Sequence, residues 1–424
     1  MLKKGYRKKI GDNLILRIAE ENEEEIDRII KLNIQVHGED LKNYMYRLFR
    51  DHPNRKDHIW FYIENEENDR IISSGVLFPE MWDFEGINIP ICEMGFVATA
   101  EDSRDQGLFS MINRCYEKVM RERGYLLSVI RGVPFFYRRY GYEFAIPLDY
   151  GYKISYKNIP ESENYDIRIR RALEADIDNL KNLYNQWAEK YSITQKFNTK
   201  SFIYKYLNDK YTEFQFRTYV LEEEKEVQAF FCVGGYFGTE HVIMQTSAMT
   251  CRQILRMLDF WKNECKKQNN LKENAILILN PPNSELTKFV LSLGAKRENK
   301  WRWQIKIPNL KKFFDAIRPL MERRITNSIF QDVDKILKMS NYRENVHICF
   351  RNGGIKQIEL RKGFPEEPDY DLKVPNSHLT QIILGSKKIQ EIESIITDTI
   401  YREDWLLFME KLFPKQDSYC CSYF

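Results

Sequence analysis

The chain has 424 residues, 43% of them hydrophobic and 14% aromatic, which is enough to build about three packed domains. Its 65 basic and 62 acidic residues leave a formal charge of +3, so a nucleic-acid partner has no electrostatic support. No apolar run approaches the roughly 20 residues that cross a bilayer, and no signal peptide is evident. The eight cysteines form no CxxC pair, and the six histidines lack metal-ligand spacing. We expect a cytoplasmic protein without nucleic acid, membrane or metal.

The first part of the chain alternates strand and helix signals. The patterns predict strands over 14–18, 58–64, 71–79, 87–98, 125–130 and 142–156. They predict helices from the acidic run 20–25 to Ile34, over 41–49 and over 107–123, with a short helical turn reaching Tyr140. Antiparallel strands followed by strand–helix–strand predict an α/β sheet.

After a polar linker at 158–165, a second α/β segment roughly echoes the first. Its predicted elements are a strand near Ile167, helices over 174–190 and 251–267, and strands over 214–236, 242–248, 275–279 and 301–303. The two segments are interpreted as a diverged repeat. From Pro308 onward, a helix over 310–324, isolated strands and two late helices predict an α+β domain.

A glycine stands where an apolar strand gives way to an amphipathic helix. Strand 94–98 leads through Arg104-Asp105-Gln106 to Gly107, where the helix begins. A helix start leaves about four backbone N–H groups unpaired and carries partial positive charge, so it can hold a pyrophosphate. A Cβ at Gly107 would keep phosphate oxygens away, and Arg104 adds a cation. An ordinary strand–helix turn is the alternative interpretation.

The segment 133–144, VPFFYRRYGYEF, favours the phosphate site over an ordinary turn. Together with Arg104-x-x-Gly107 it resembles the GNAT acetyltransferases. In that family the cofactor helix follows an Arg/Gln-x-x-Gly-x-Gly/Ala loop, and a later Phe/Tyr-Tyr-x-x-Phe/Tyr-Gly-Phe/Tyr segment closes the site. Phe109 departs from the pattern, which usually has Gly or Ala there. The resemblance implies acetyl-CoA as co-substrate and a primary amine, on a small molecule or a lysine side chain, as acceptor.

The resemblance also assigns the cofactor contacts residue by residue. It places pantetheine against Phe96, Val97 and Ala98, and a further contact at Gly132 and Val133. It places pyrophosphate on Arg104, Asp105, Gln106, Gly107, Leu108 and Phe109.

Two catalytic roles follow from the same resemblance. Tyr137 occupies the family position of the acid. A phenol with a pKa near 10 is a weaker acid than a thiol with a pKa near 8.5, so donation of its proton to the CoA thiolate is uphill by about 2 kcal/mol. Arg138 and Arg139 are candidates to lower its pKa. The base is expected to be the C-terminal carboxylate of Phe424, with Glu93 as the alternative.

The whole chain resembles the enhanced-intracellular-survival (Eis) type of acetyltransferase. The stretches that carry this likeness are Trp301-Arg302-Trp303, Ile307-Pro308-Asn309-Leu310, the helix end 320–324, and Leu412-Phe413-Pro414 with a tail closing on Phe424. It implies tandem GNAT folds followed by an α+β sterol-carrier-protein-like domain: an active domain over 1–157, a degenerate one over 158–307 and the third over 308–424. It also suggests a homo-oligomer. Because the second segment has no glycine between 242–248 and Cys251, we expect no CoA there.

Several interpretations remain open from sequence alone. A non-catalytic CoA-binding sensor that kept the fold is the alternative function, and a tRNA-dependent aminoacyl or peptidoglycan-bridge transferase is disfavoured by the near-neutral charge. The loop 37–40, His-Gly-Glu-Asp, either borders the acceptor pocket or only connects two helices. Trp82 and Phe84 either line that pocket or pack in a core.

Overall fold

The computed structural model describes residues 2–163, 166–207, 216–236, 239–267, 274–364 and 370–420. The strands of the first part are β1 (Arg7–Lys9), β2 (Leu14–Ile18), β3 (Ile59–Asn65), β4 (Arg70–Phe84), β5 (Ile87–Thr99), β6 (Leu127–Ile130) and β7 (Glu143–Ser155). Its helices are α1 (Glu23–His37), α2 (Lys42–Arg50) and α3 (Leu108–Arg123), and a 3-10 turn covers Phe136–Tyr140.

The second part follows the same alternation of strands and helices. Its elements are β8 (Arg168–Arg171), α4 (Ile177–Ala188), β9 (Ile193–Lys196), α5 (Thr199–Tyr206), β10 (Arg217–Glu223), β11 (Glu226–Tyr236), β12 (Thr239–Thr246), α6 (Cys251–Lys267), β13 (Ala275–Leu279), α7 (Glu285–Ser292) and β14 (Lys296–Lys306).

The third part contains a second, smaller sheet. Its elements are α8 (Leu310–Thr326), β15 (Lys335–Ser340), β16 (Glu344–Arg351), β17 (Gly354–Lys362), β18 (Leu372–Lys373), α9 (Asn376–Ile383), α10 (Ile389–Glu393), β19 (Ile400–Tyr401) and α11 (Glu403–Leu412). Strands β15 to β17 form an antiparallel meander in a five-stranded sheet of order β17-β16-β15-β18-β19. The expectation of isolated strands here was wrong, because each strand covers the polar backbone edge of its neighbour.

One continuous sheet runs through the first two parts. Its order is β1-β2-β3-β4-β5-β6-β14-β7-β13-β12-β11-β10-β8, and β9 adds to the end of β4. Strand β14 lies between β6 and β7, and it is antiparallel to both. Strand β7 in turn pairs with β13. The first part therefore receives a strand from the second, and its own last strand continues into the sheet of the second.

The helices cover both faces of the sheet around β5. Helix α3 packs on β3, β4 and β5 through Leu108, Ile112, Cys115 and Val119, which are buried. Helix α1 packs on β4 and β5 on the other face, where Asn22 caps its start by accepting a hydrogen bond from the amide of Glu25. The end of β5 is thus enclosed by α1 and α3. Among the described residues, no helix combines the length and apolar character needed to cross a bilayer.

Most predicted elements are confirmed, and three keep their predicted bounds: strand 14–18, helix 251–267 and strand 275–279. Strand β4 runs to Phe84 instead of ending at 79, because its second half pairs with both β5 and β9. Helices α5 and α7 were missed. Both are only eight residues long, and short helices owe their stability to tertiary packing more than to local pattern.

Candidate functional site

A cleft opens where the parallel strands β5 and β6 separate. Their register pairs Ile91 with Leu127 and ends at Glu93 with Val129, although β5 continues to Thr99. A β-bulge sits in the freed half of β5: the pairs Ser74–Ala98 and Val76–Gly95 leave Phe96 and Val97 opposite the single residue Gly75. Phe96 has a φ of +44°, a strained value for a bulky residue. The predicted pantetheine residues therefore lie on backbone that has lost its neighbour on the β6 side.

Helix α3 begins beside this bulge with a run of free amides. Gly107 caps the helix in the left-handed conformation, with φ +72°, and Asp105 also has a positive φ of +63°. The first main-chain hydrogen bond of the helix runs from Met111 N to Gly107 O at 3.3 Å. Within the described chain, the amides of residues 105–110 have no acceptor. Free amides at a helix start are the arrangement that can bind an anion, so the geometry is compatible with the phosphate site that the loop pattern predicts.

The space around Gly107 and its backbone conformation also favour glycine at this position. A Cβ built on it meets no atom within 4 Å, so it would project into the space in front of the amides, and its φ disfavours any side chain. Residues 104–107 are exposed. Leu108 and Phe109 point inward and are buried, so only their backbone faces that space.

The Phe109 ring explains the departure from the family pattern. It packs edge-on against Tyr137 at 5.8 Å and Tyr140 at 5.0 Å between ring centroids, and it lies 5.4 Å from Phe136. Ser110 Oγ and the Tyr140 hydroxyl are 2.8 Å apart. The first turn of α3 is therefore joined directly to the 3-10 turn that carries Tyr137.

Tyr137 is buried, and its ring covers Gly132 at the end of β6. No hydrogen bond links its hydroxyl to another described residue. Burial raises the pKa of Tyr137, with a smaller contribution from Tyr140. Arg138 instead pairs with Glu143 at 2.9 Å, and Arg139 lies 4.8 Å from the ring centroid of Phe136. Neither arginine lowers the phenol pKa, contrary to the sequence-based suggestion.

Strand β14 supplies one wall of the cleft. Gln304 is fully buried, and its Nε2 donates to the carbonyl of Gly132 at 2.7 Å. Neighbouring Val133 is 60% exposed at the mouth. Sequence patterns alone did not identify Gln304, because it is 172 residues from Gly132 and carries no motif.

Glu93, the alternative base, faces another acidic group. It is buried beside Glu80, whose carboxylate accepts from Gln195 Nε2 at 2.6 Å. Burial raises the pKa of Glu80, while Lys205 and the hydrogen bond from Gln195 act in the opposite direction.

A cavity of about 570 Å³ adjoins Glu80, between the first and second parts of the chain. Its lining includes His52, His58, Gln195, Tyr204 and Lys205. Trp82 and Phe84 do not line it: they are 1% and 2% exposed and belong to the core shared with the third part, so they pack. No group of three or more His, Cys, Asp or Glu side chains in the described ranges is arranged to hold a metal ion.

The predicted base at Phe424 lies outside the described residues. The chain leading to it is firmly held: Tyr419 N donates to Ile193 O at 3.0 Å, and Trp303 Nε1 donates to Cys420 O at 2.9 Å. Cys420 packs in the same core cluster as Ile91 and Val129, which belong to the two strands that open the cleft.

The second part has a comparable pair of strands but no comparable loop. Strands β12 and β13 are parallel and pair at Ile243 and Ile278. The end of β12 leads into α6 at Cys251 without a glycine, as the sequence predicts. Side chains of Trp187, Asn280 and Asp417 leave a space of only about 170 Å³ there.

Comparison with known proteins connects this geometry to a family. Residues 17–145 match a family model described as an acetyltransferase (GNAT) domain. No curated protein matches the chain by sequence. An Enterococcus faecalis V583 protein described as a "Probable N-Acyltransferase" superposes with a TM-score of 0.70 at 16% identity, covering 97% of this chain and 100% of that one.

Two further solved structures share the fold over almost the whole chain. A GCN5-related N-acetyltransferase from Anabaena variabilis ATCC 29413 has a TM-score of 0.70 at 13% identity, over 96% of this chain and 100% of that one. Eis1 from Mycobacterium abscessus has a TM-score of 0.59 at 10% identity, over 97% and 100%. At these identities the likeness concerns the fold. The chain thus shares the mixed α/β fold of these N-acetyltransferase structures, and residues 17–145 match the model of a GNAT acetyltransferase domain.

Proposed function

We propose that the protein is an acetyl-CoA-dependent N-acetyltransferase that moves an acetyl group to a primary amine of a small molecule or a lysine side chain. The observation that carries this proposal is the meeting of three elements in one cleft. The Phe109–Tyr137 contact joins the start of α3, with its free amides, to the turn that carries the phenol. Helix α3 also packs on β5, the strand that carries the bulge. Acyl transfer is the activity that the family match supports in general.

The cofactor contacts are proposed at the residues that the resemblance assigns. Amides at 105–110 without an acceptor suit a diphosphate, and the separated edge of β5 at 96–98 suits the amide groups of pantetheine. Exposed Arg104 adds a positive charge to this helix start.

Tyr137 is proposed to assist departure of the CoA sulfur. Because burial raises its pKa, the phenol stays protonated at neutral pH and is a reluctant proton donor. Its hydroxyl is free to hydrogen-bond to the departing sulfur, and it passes its proton on only as a second proton from the acceptor amine replaces it. This arrangement does not require Arg138 or Arg139.

The C-terminal carboxylate is proposed to lie in the same cleft. Four residues follow Cys420, and an extended chain of that length spans at most about 13 Å. Cys420 is fixed by the hydrogen bond from Trp303 Nε1 and belongs to the same hydrophobic core as Ile91 of β5 and Val129 of β6. A carboxylate delivered there would attract a cationic amine.

Turnover distinguishes the enzyme from a CoA-binding sensor. The purified protein is first titrated with acetyl-CoA by calorimetry and then incubated with acetyl-CoA and a panel of primary amines, while free CoA is measured with a thiol reagent. The proposal expects binding and amine-dependent release of CoA. Binding without release on any amine would favour the sensor, and absence of binding would refute both.

A further inference from the structure

Helix α1 brings a histidine to the bulge of β5. Asn33 Nδ2 donates to Ser74 Oγ at 3.1 Å, which holds α1 on β4 beside the bulge. His37 follows about one helical turn later as the last residue of α1. Its ring is hydrogen-bonded to the backbone of Val97. The imidazole therefore touches the segment against which the proposed function places the end of the pantetheine chain.

The contact with Val97 determines which nitrogen of the His37 ring carries the proton. In a neutral imidazole, the nitrogen that donates to a carbonyl carries the proton, so the opposite nitrogen holds a lone pair. His37 has an exposed surface at the end of α1, while protein atoms pack around part of its ring. This burial lowers the pKa of His37 below 6.5, and the Val97 contact only partly offsets the effect, so the ring is neutral at pH 7.

Charged neighbours do not determine this state. Within the described chain, burial and the Val97 contact are the causes of the shift, and no charged side chain contributes. Glu39 and Asp40 follow on the 3-10 turn Glu39–Leu41 and are both exposed.

We propose that His37 is the catalytic base that deprotonates the acceptor ammonium. The inference rests on the proposed acetyl transfer. The free ring nitrogen of His37 takes one proton from R–NH3+, and the resulting amine attacks the thioester carbonyl carbon. The C–N bond forms and the C–S bond breaks. The second proton of the nitrogen reaches the thiolate through the Tyr137 hydroxyl, and His37 returns its own proton to water.

The other two candidate bases match this task less well. An unperturbed imidazole is a stronger base than an unperturbed carboxylate by about two pK units, and its pKa is therefore closer to that of the acceptor amine. Glu93 is buried beside a second carboxyl group, Glu80, whose pKa burial raises. These differences favour His37 for the proton transfer and leave a C-terminal carboxylate the role of attracting the cation.

The test compares two acceptors of similar size and different basicity. His37→Gln retains an N–H donor for Val97 and loses the base. With acetyl-CoA and ethylamine, a strong base that arrives protonated, kcat/KM should fall about 100-fold. With 2,2,2-trifluoroethylamine, which is largely neutral at pH 7, it should fall by less than about threefold, because little deprotonation is needed. The Kd of acetyl-CoA should stay within about twofold.

The control and the contrary outcomes are defined by the same assay. His378→Gln makes the same exchange in α9 of the third part and should change neither acceptor's rate. Equal losses on both amines would assign His37 a purely structural role and overturn this inference while the transferase stands. If the wild-type protein releases no CoA with any amine, the proposed function falls and the inference falls with it.

Discussion

The ring of Tyr137 lies against the Cα of Gly132 so closely that a Cβ on Gly132 would stand 2.1 Å from Cε2 and 2.2 Å from Cδ2. The carbonyl of the same glycine receives a hydrogen bond from Gln304 of β14 at 2.7 Å. One residue at the end of β6 thus couples the candidate acid to a strand from the second part of the chain. The candidate site of the first part is therefore completed by a strand of the second.

Gly132→Ala is expected to destabilise the protein and reduce kcat. The added methyl group must displace the Tyr137 ring, and overpacking of this kind typically costs about 1–3 kcal/mol. Denaturant unfolding and steady-state kinetics measure both effects. In a Tyr137→Ala background the same substitution should cost much less stability. An equal cost in both backgrounds would contradict the contact.

Tyr137→Phe should lower kcat by about 100-fold, the usual effect of losing an acid–base group. Thermal stability should hardly change, because no hydrogen bond links the hydroxyl to another described residue. Tyr46→Phe, on the outer face of α2, is the matched control and should keep full activity. Normal turnover by the Tyr137 variant would remove the phenol from the mechanism.

Gly107→Ala should weaken CoA binding, and Gly124→Ala should not. Both glycines are left-handed, with φ +72° and +77°, flank the same helix α3 and have no atom within 4 Å of a built Cβ. Both substitutions should therefore lower the thermal midpoint by a similar small amount, from about 1 kcal/mol of backbone strain. Only Gly107 lies at the amide-rich end, so only its substitution should raise the Kd of CoA, by about tenfold. Equal affinities would refute the phosphate site.

Removal of residues 421–424 should reduce kcat and leave the fold intact. The described anchors of the tail end at Cys420, whose carbonyl accepts from Trp303 Nε1. Thermal unfolding and amine-dependent CoA release check the two parts of the expectation. A truncated protein with undiminished kcat would exclude the C-terminal carboxylate from the reaction.

Glu80→Gln should raise stability at pH 8 relative to wild type. Because burial raises its pKa in the folded protein, the stability that Glu80 contributes is present below about pH 4.3 and is lost as pH rises towards the folded pKa. A neutral amide removes this loss. Thermal midpoints measured from pH 4 to pH 8 should therefore depend less on pH in the variant.

Glu85→Gln provides the control of opposite sign. Burial works against ionisation of Glu85, but Arg324, with Ser192 and Gln416, holds its pKa below the usual range. Its contribution is present above the unfolded pKa and lost as pH falls through the folded one, so this variant should be less stable at neutral pH. If both variants changed stability at neutral pH in the same direction, the opposite pKa shifts assigned to Glu80 and Glu85 would be contradicted.

The sequence by itself determined the features that depend on neighbours within a few residues. Helix α6 and strand β13 were predicted with their observed bounds, and α3 with its start at Gly107, because helical and strand periodicity are local patterns. The order Arg104-x-x-Gly107 followed by the Tyr137 segment predicted the start of helix α3 and the turn behind it. The absence of a glycine before Cys251 likewise predicted that the second part lacks the glycine-containing loop of the first.

The tertiary structure alone decided which distant residues complete the cleft. Gln304 reaches Gly132 across 172 positions, β14 enters between β6 and β7, and His37 meets Val97 at the bulge. The burial that raises the pKa of Tyr137 also depends on the tertiary structure. Strand pairing over such separations is fixed by burial and hydrogen bonding of the whole sheet, and no local run of residues carries that information.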